Sequence, residues 1–198
     1  MIIHNSFDKG PESWCSYDYH HCIVSGAGQR EIFVLGSWAP QGGVNNSGYV
    51  WTDHTTWSTD TPERPISILA LLTYRNWINA EPVDLRGAKV SVYLRGDKLR
   101  LFGGNCYFWV HHPLSRWHLT SQPLTIGDGA WTAEPNRFVL ANDESLWHRS
   151  WAGYPPKPKP LDLTLRVAHS YGFAFAGFAM EPDGKFAIDE FRIDLAQP

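Results

Sequence analysis

Hydrophobic and polar positions alternate with period two along most of this chain. Such runs, or short continuous apolar ones, lie at residues 2–7, 20–25, 31–37, 48–52, 67–74, 89–95, 105–111, 116–120, 137–140, 171–178 and 186–195. A backbone that sends successive side chains to opposite faces is a β-strand. Turn chemistry separates nearly all the runs: Gly26-Ala27-Gly28, Gly42-Gly43, Gly103-Gly104, Gly127-Asp128-Gly129 and Asp183-Gly184. Many short strands at this spacing, with no long stretch of helical period, predict an all-β sandwich or barrel. One short helical crossover is expected near 161–169, where Leu161, Leu165 and Ala168 share a face after a stiff proline-rich segment at 155–160.

Length and charge narrow the class. The 198 residues fit one all-β domain spanning 1–198, with a formal net charge of -3 and no block of like charges. That balance argues against nucleic acid and anionic membrane as partners, since both require a concentrated basic face. The start, Met1-Ile2-Ile3-His4-Asn5, lacks the basic-then-apolar layout of a signal peptide. Cys15, Cys22 and Cys106 are an odd number that fits a reducing compartment, so a cytoplasmic location and buried free thiols are expected. Cys15 and Cys22, with His20 and His21 between them, match no usual Cys/His knuckle spacing. Ten Trp, eight Tyr and ten Phe exceed what a core of this size absorbs, so some aromatic rings must lie outside it.

The order of the motifs carries a resemblance. Phe7, Asp8 and Gly10 with Trp14 open the chain, and Gly42-Gly43 precedes Ser47-Gly48-Tyr49-Val50 and Asp53. Then come Asp84-Leu85-Arg86-Gly87-Ala88-Lys89-Val90-Ser91-Val92, Gly129-Ala130-Trp131, the 147–151 segment with Trp147 and Trp151, Leu161-Asp162-Leu163, and Ile188-Asp189-Glu190-Phe191-Arg192-Ile193. Together they resemble the galactose-binding-like jelly rolls, the scaffold of many carbohydrate-binding modules. They are also similar to the laminin IV type A domain and to the jelly roll of complex I intermediate-associated proteins. The resemblance implies a jelly-roll β-sandwich of two antiparallel sheets, a scaffold that hosts binders, lyases and structural modules alike.

Strict alternation in the last strand sets Asp189 on the same face as Ala187, Phe191, Ile193 and Leu195, the core face. A carboxylate there needs compensation. The resemblance implies a structural calcium held by Asp8 and Asp189. The residues equally allow Asp189 to accept backbone N–H groups from a neighbouring loop.

Alternation also nominates a binding surface. With Val90, Val92 and Leu94 inward, Tyr93 and Arg95 point outward. With Cys106, Phe108 and Val110 inward, Tyr107, Trp109 and His111 point outward, and inward Trp117 and Leu119 send Arg116 and His118 the same way. A patch of Tyr93, Arg95, Tyr107, Trp109, His111, Arg116 and His118 combines flat rings with guanidinium and imidazole donors. It is expected to bind a carbohydrate or a small polar or aromatic ligand on a concave sheet face, with no required cofactor. A second reading is a small lyase, isomerase or hydratase, in which His118 or His111 moves a proton, Tyr107 assists and Arg95 or Arg116 steadies an anion. A third is an interaction or assembly module. A slip of one residue in register would exchange every outward residue for its neighbour.

Overall fold

The computed structural model describes residues 1–16, 35–59, 66–113, 115–150 and 158–196, with residues 76 and 77 described through their backbone alone. The expected strand at 20–25 and residues 31–34 of the one at 31–37 lie outside these residues, as do His20, His21, Cys22, Trp151 and the prolines at 155–156.

The described strands are β1 (Ile2–Asn5), β2 (Ser37–Ala39), β3 (Tyr49–Asp53), β4 (Ser58–Thr59), β5 (Ser67–Tyr74), β6 (Lys89–Arg100), β7 (Asn105–His112), β8 (Ser115–His118), β9 (Gly127–Asp128), β10 (Asn136–Val139), β11 (His148–Arg149), β12 (Ser170–Ala176) and β13 (Asp183–Asp194). Each described strand of four residues or more falls where alternation predicts one. The two-residue β4, β9 and β11 are too short to show a period. The predicted helix is α1 (Leu161–Arg166), which buries Leu161 and Leu165 and packs against β7 and β8.

Sheet A runs β10-β6-β13-β3-β2, with β1 also pairing β13 and β9 running parallel to β6. Sheet B runs β11-β8-β7-β12-β5-β4. The two pack face to face as a sandwich, the jelly-roll architecture that the sequence predicts.

Between the sheets lie Val90, Val92 and Leu94 of β6, Phe186, Ile188, Phe191 and Ile193 of β13, Cys106, Phe108 and Val110 of β7, and Tyr171, Phe173 and Phe175 of β12. The inward sets predicted for β6, β7 and β8 therefore hold, with Trp117 and Leu119 completing them. Trp14 is fully buried in the same core, its ring edge-on to Phe191 at 4.8 Å. Aromatic pairs of this geometry add about 0.5–1.5 kcal/mol beyond their area. Burial raises the free Cys106 thiol well above its ordinary pKa. Cys15 is also buried, its thiol donating to the Leu72 carbonyl at 3.4 Å.

The last strand corrects one expectation. Phe186 and Ile188 face the core, and so do Phe191 and Ile193, although three positions rather than two separate Ile188 from Phe191. A β-bulge between Asp189 and Arg192, with Glu190 at φ 48°, absorbs the extra residue. Asp189 consequently pairs with outward Tyr93 and shares the outer face of sheet A rather than the core face.

The sheets differ in how they treat their outer faces. All residues of β5 and β12 are buried, so sheet B is covered on both sides along its central strands. In β6, buried and partly exposed residues alternate, which leaves the outer face of sheet A in contact with solvent.

Candidate functional site

The seven nominated residues divide between the two sheets. Tyr107, Trp109, His111, Arg116 and His118 share the outer face of sheet B, whereas Tyr93 and Arg95 lie on the outer face of sheet A, across the whole core. Sequence alternation fixes the face of each strand, but not which sheet the strand joins.

On sheet B the register sets Trp109 opposite His118 and His111 opposite Arg116. The Arg116 guanidinium carbon lies 4.9 Å from the centre of the Trp109 ring, a cation–π contact. His111 Nδ1 and Ser170 Oγ are 3.1 Å apart, and Tyr74 meets the His111 ring edge-on at 6.2 Å. The expected outward turn of Trp109 is therefore correct. Its expected exposure is not: Trp109 and His118 are 0% exposed and Arg116 is 1% exposed. Trp109 belongs to a second apolar cluster with Cys15, Leu69, Leu72, Tyr74 and Ala174. Burial, then Arg116 and then His148, holds the His118 imidazole well below its ordinary pKa, so it is neutral at pH 7. On this face Trp109, Arg116 and His118 are closed off from solvent, so the Trp109 indole offers no free surface for stacking, while Tyr107 is partly exposed.

On sheet A the outward aromatic residues are partly accessible. The row Trp51, Ala187, Arg95 crosses three adjacent strands, and Tyr93 and Tyr49 lie further along on the same face. Trp131, from the loop between β9 and β10, joins them: its ring is 5.3 Å from Tyr49 and 6.0 Å from the Arg95 guanidinium. The Trp131 indole N–H donates to the Gly42 carbonyl at 2.8 Å. Asp97 holds Arg95 through Nε at 3.0 Å and Nη2 at 2.7 Å, and the Lys185 ammonium sits 4.2 Å from the centre of the Trp51 ring. All four rings are partly exposed. A hollow of about 570 Å³ adjoins Trp131, lined also by Thr132, Glu134 and Asn136 among others.

Of this cluster the sequence reading nominates Tyr93 and Arg95 and misses Tyr49, Trp51 and Trp131. Alternation in β3 marks Tyr49 and Trp51 as outward once Val50 and Thr52 are taken inward. Trp131 sits in a loop, where periodicity gives no signal.

Asp189 lies beneath the same face. Its Oδ2 accepts the Val44 N–H at 2.6 Å and the Ser47 hydroxyl at 2.8 Å, and its Oδ1 accepts the Glu190 N–H at 2.7 Å. Burial pushes its carboxyl up to about 6, against the opposing pull of these hydrogen bonds. Calcium needs oxygen ligands, but three N–H or O–H donors occupy the carboxylate, and exposed Asp8 is not among its partners. Loop anchoring, the alternative the residues allow, is what the geometry around Asp189 has. Among the described residues no group of three or more His, Cys, Asp or Glu is arranged to hold a metal.

No family model and no curated protein matches the sequence. Solved structures do. A family 11 carbohydrate-binding module from Clostridium thermocellum, in complex with a β-1,3-1,4-mixed-linked tetrasaccharide, is similar at a TM-score of 0.55 and 12% identity over 98% of this chain and 96% of that one. A family 28 module specific for non-crystalline cellulose is similar at a TM-score of 0.41 and 10% identity over 94% and 89% of the two chains. At 12% identity the likeness to the family 11 module is one of fold.

Proposed function

We propose that this protein binds a carbohydrate on the outer face of sheet A, through the platform of Tyr49, Trp51, Tyr93 and Trp131. The observation that carries the reading is four partly exposed rings gathered on a solvent-facing sheet, with Arg95 and Lys185 among them. Pyranose rings present apolar C–H faces that stack on aromatic rings, while their hydroxyls take hydrogen bonds from guanidinium and ammonium groups. The fold is consistent with this, since the similar family 11 module was solved with a bound oligosaccharide.

The placement differs from the patch centred on Trp109 because stacking needs an accessible ring, and that indole has none of its surface exposed. The enzyme reading meets the same obstacle, since a substrate would have to reach His118, which is equally covered.

Affinity electrophoresis and calorimetry against a panel of soluble glycans, mixed-linked β-1,3-1,4-glucan included, test the proposal. Trp131→Ala and Trp51→Ala are each expected to weaken binding about tenfold, the equivalent of about 1.4 kcal/mol. Full binding by both variants, or no binding of any glycan by the unaltered protein, would end the reading.

A further inference from the structure

The platform is assembled from elements of unequal rigidity. Tyr49, Trp51 and Tyr93 stand on strands, but Trp131 stands on the loop between β9 and β10 and reaches the platform through its hydrogen bond to the Gly42 carbonyl. Whatever holds Gly42 therefore bears on where the Trp131 indole sits, beside its ring contacts with Tyr49 and Arg95.

Gly42 belongs to a short loop closed on itself. The Gly43 N–H donates to the Ser47 carbonyl at 2.9 Å, the Ser47 hydroxyl shares its one proton between the Val44 carbonyl at 2.5 Å and Asp189 Oδ2 at 2.8 Å, and the Gly42 N–H donates to Asn46 Oδ1 at 3.2 Å. Asn45 and Asn46 hold left-handed backbone angles, φ 55° and 62°, which asparagine tolerates better than most residues. The loop is fastened to sheet A by Asp189, which takes the Val44 N–H and the Ser47 hydroxyl on one oxygen. The approach is too close for any side chain at Gly43, where a Cβ would sit 2.5 Å from Asp189 Oδ2 and 2.7 Å from Ser47 Oγ. The bulge at Glu190 is what brings this carboxylate to the outer face at all.

We propose that Asp189 is the positioning residue of the platform, holding Trp131 in its ligand-ready place through the 42–47 loop. This inference rests on the carbohydrate-binding reading for its purpose, but its structural half is measured separately. The Asp189 carboxylate hydrogen-bonds to Val44, Ser47 and Glu190; it acts through Val44 and Ser47 on Gly42, and through Gly42 on the indole.

The test compares acrylamide quenching of tryptophan emission in the unaltered, Ser47→Ala and Asp189→Ala proteins, each with and without Trp131→Phe. The difference within each pair isolates Trp131 from the other tryptophans, and thermal melts confirm that each variant is folded. Asp189→Ala is expected to raise Trp131 quenching about twofold, with a smaller rise in Ser47→Ala, which removes one of the two loop donors. Should Asp189→Ala fail to fold, Ser47→Ala decides alone. An unchanged Trp131 difference in the folded variants overturns the inference.

A second arm measures affinity for mixed-linked β-1,3-1,4-glucan. Asp189→Ala is expected to weaken it about fivefold in the Trp131 background and hardly at all once Trp131 is already Ala, because acting through one group makes the two losses non-additive. Loss of binding in Trp131→Ala with none in Asp189→Ala overturns the role of Asp189 alone. Undiminished binding in Trp131→Ala overturns the platform, while the quenching result still decides whether Asp189 positions the indole.

Discussion

Trp109→Ala separates the two sheet faces more sharply than any other single change. The indole is fully buried among Leu69, Leu72, Tyr74 and Ala174, and it carries the Arg116 guanidinium on its face at 4.9 Å. Truncating a buried Trp to Ala costs about 3–5 kcal/mol in lost burial and cavity. Removing the ring also deprives a buried guanidinium of a cation–π contact worth up to about 2 kcal/mol when desolvated. The expected loss is therefore about 3–7 kcal/mol. A domain of this size shifts its melting temperature by roughly 2–4 °C per kcal/mol, so the expected fall is roughly 6–28 °C. Thermal and urea unfolding read the loss, and glycan affinity is measured on the same protein at a temperature where it remains folded. Affinity should change by less than about twofold, because the platform stands on the opposite sheet. If Trp109→Ala is too unstable to assay, Trp109→Phe retains a ring and answers the affinity question. Abolished glycan binding with a melting temperature within about 2 °C of the unaltered protein would refute the reasoning and return the site to sheet B.

Two buried ionisable groups, His118 and Asp189, pull stability in opposite directions with pH. His118 has a folded pKa depressed below 6.5, so its contribution is fully present above that pH and is lost as pH falls, by up to about 1.4 kcal/mol per unit. Asp189 has a folded pKa of about 6 against an ordinary 3.8, so its contribution is present below 3.8 and is lost as pH rises through about 6. Urea midpoints between pH 4 and 7 should consequently rise on acidification in His118→Gln and fall in Asp189→Asn; identical profiles in both would contradict these assignments. Gly172→Ala should cost about 3 kcal/mol by urea denaturation, because its Cβ would lie 2.3 Å from the Leu71 carbonyl oxygen of the neighbouring strand, and a loss under about 1 kcal/mol would show that β12 and β5 can part.

Much of this molecule was written in its local pattern. Period two located the long described strands, and the inward sets Val90, Val92 and Leu94, and Cys106, Phe108 and Val110, came out on the correct face because the pleat ties face to parity. Leu161 and Leu165 announced the one described α-helix in the same way. Even the sealing of sheet B left a trace. The run Ser67–Tyr74 is nearly all apolar, and β12 alternates rings with Ser170, Gly172, Ala174 and Ala176, neither of which suits a strand with a wet face. Tertiary structure decided what parity cannot carry. The pairing of β6 with β13, and of β7 with β12 and β8, sent Tyr93 and Arg95 to one side of the sandwich and Trp109 to the other, although all three read as outward. One bulge at Glu190 reversed the parity of the last strand and delivered Asp189 to the outer face. Trp131 reached the platform from a loop through a single hydrogen bond to Gly42. In each case the cause is a contact between residues far apart in the chain, and such contacts are fixed only when the sheets close on one another.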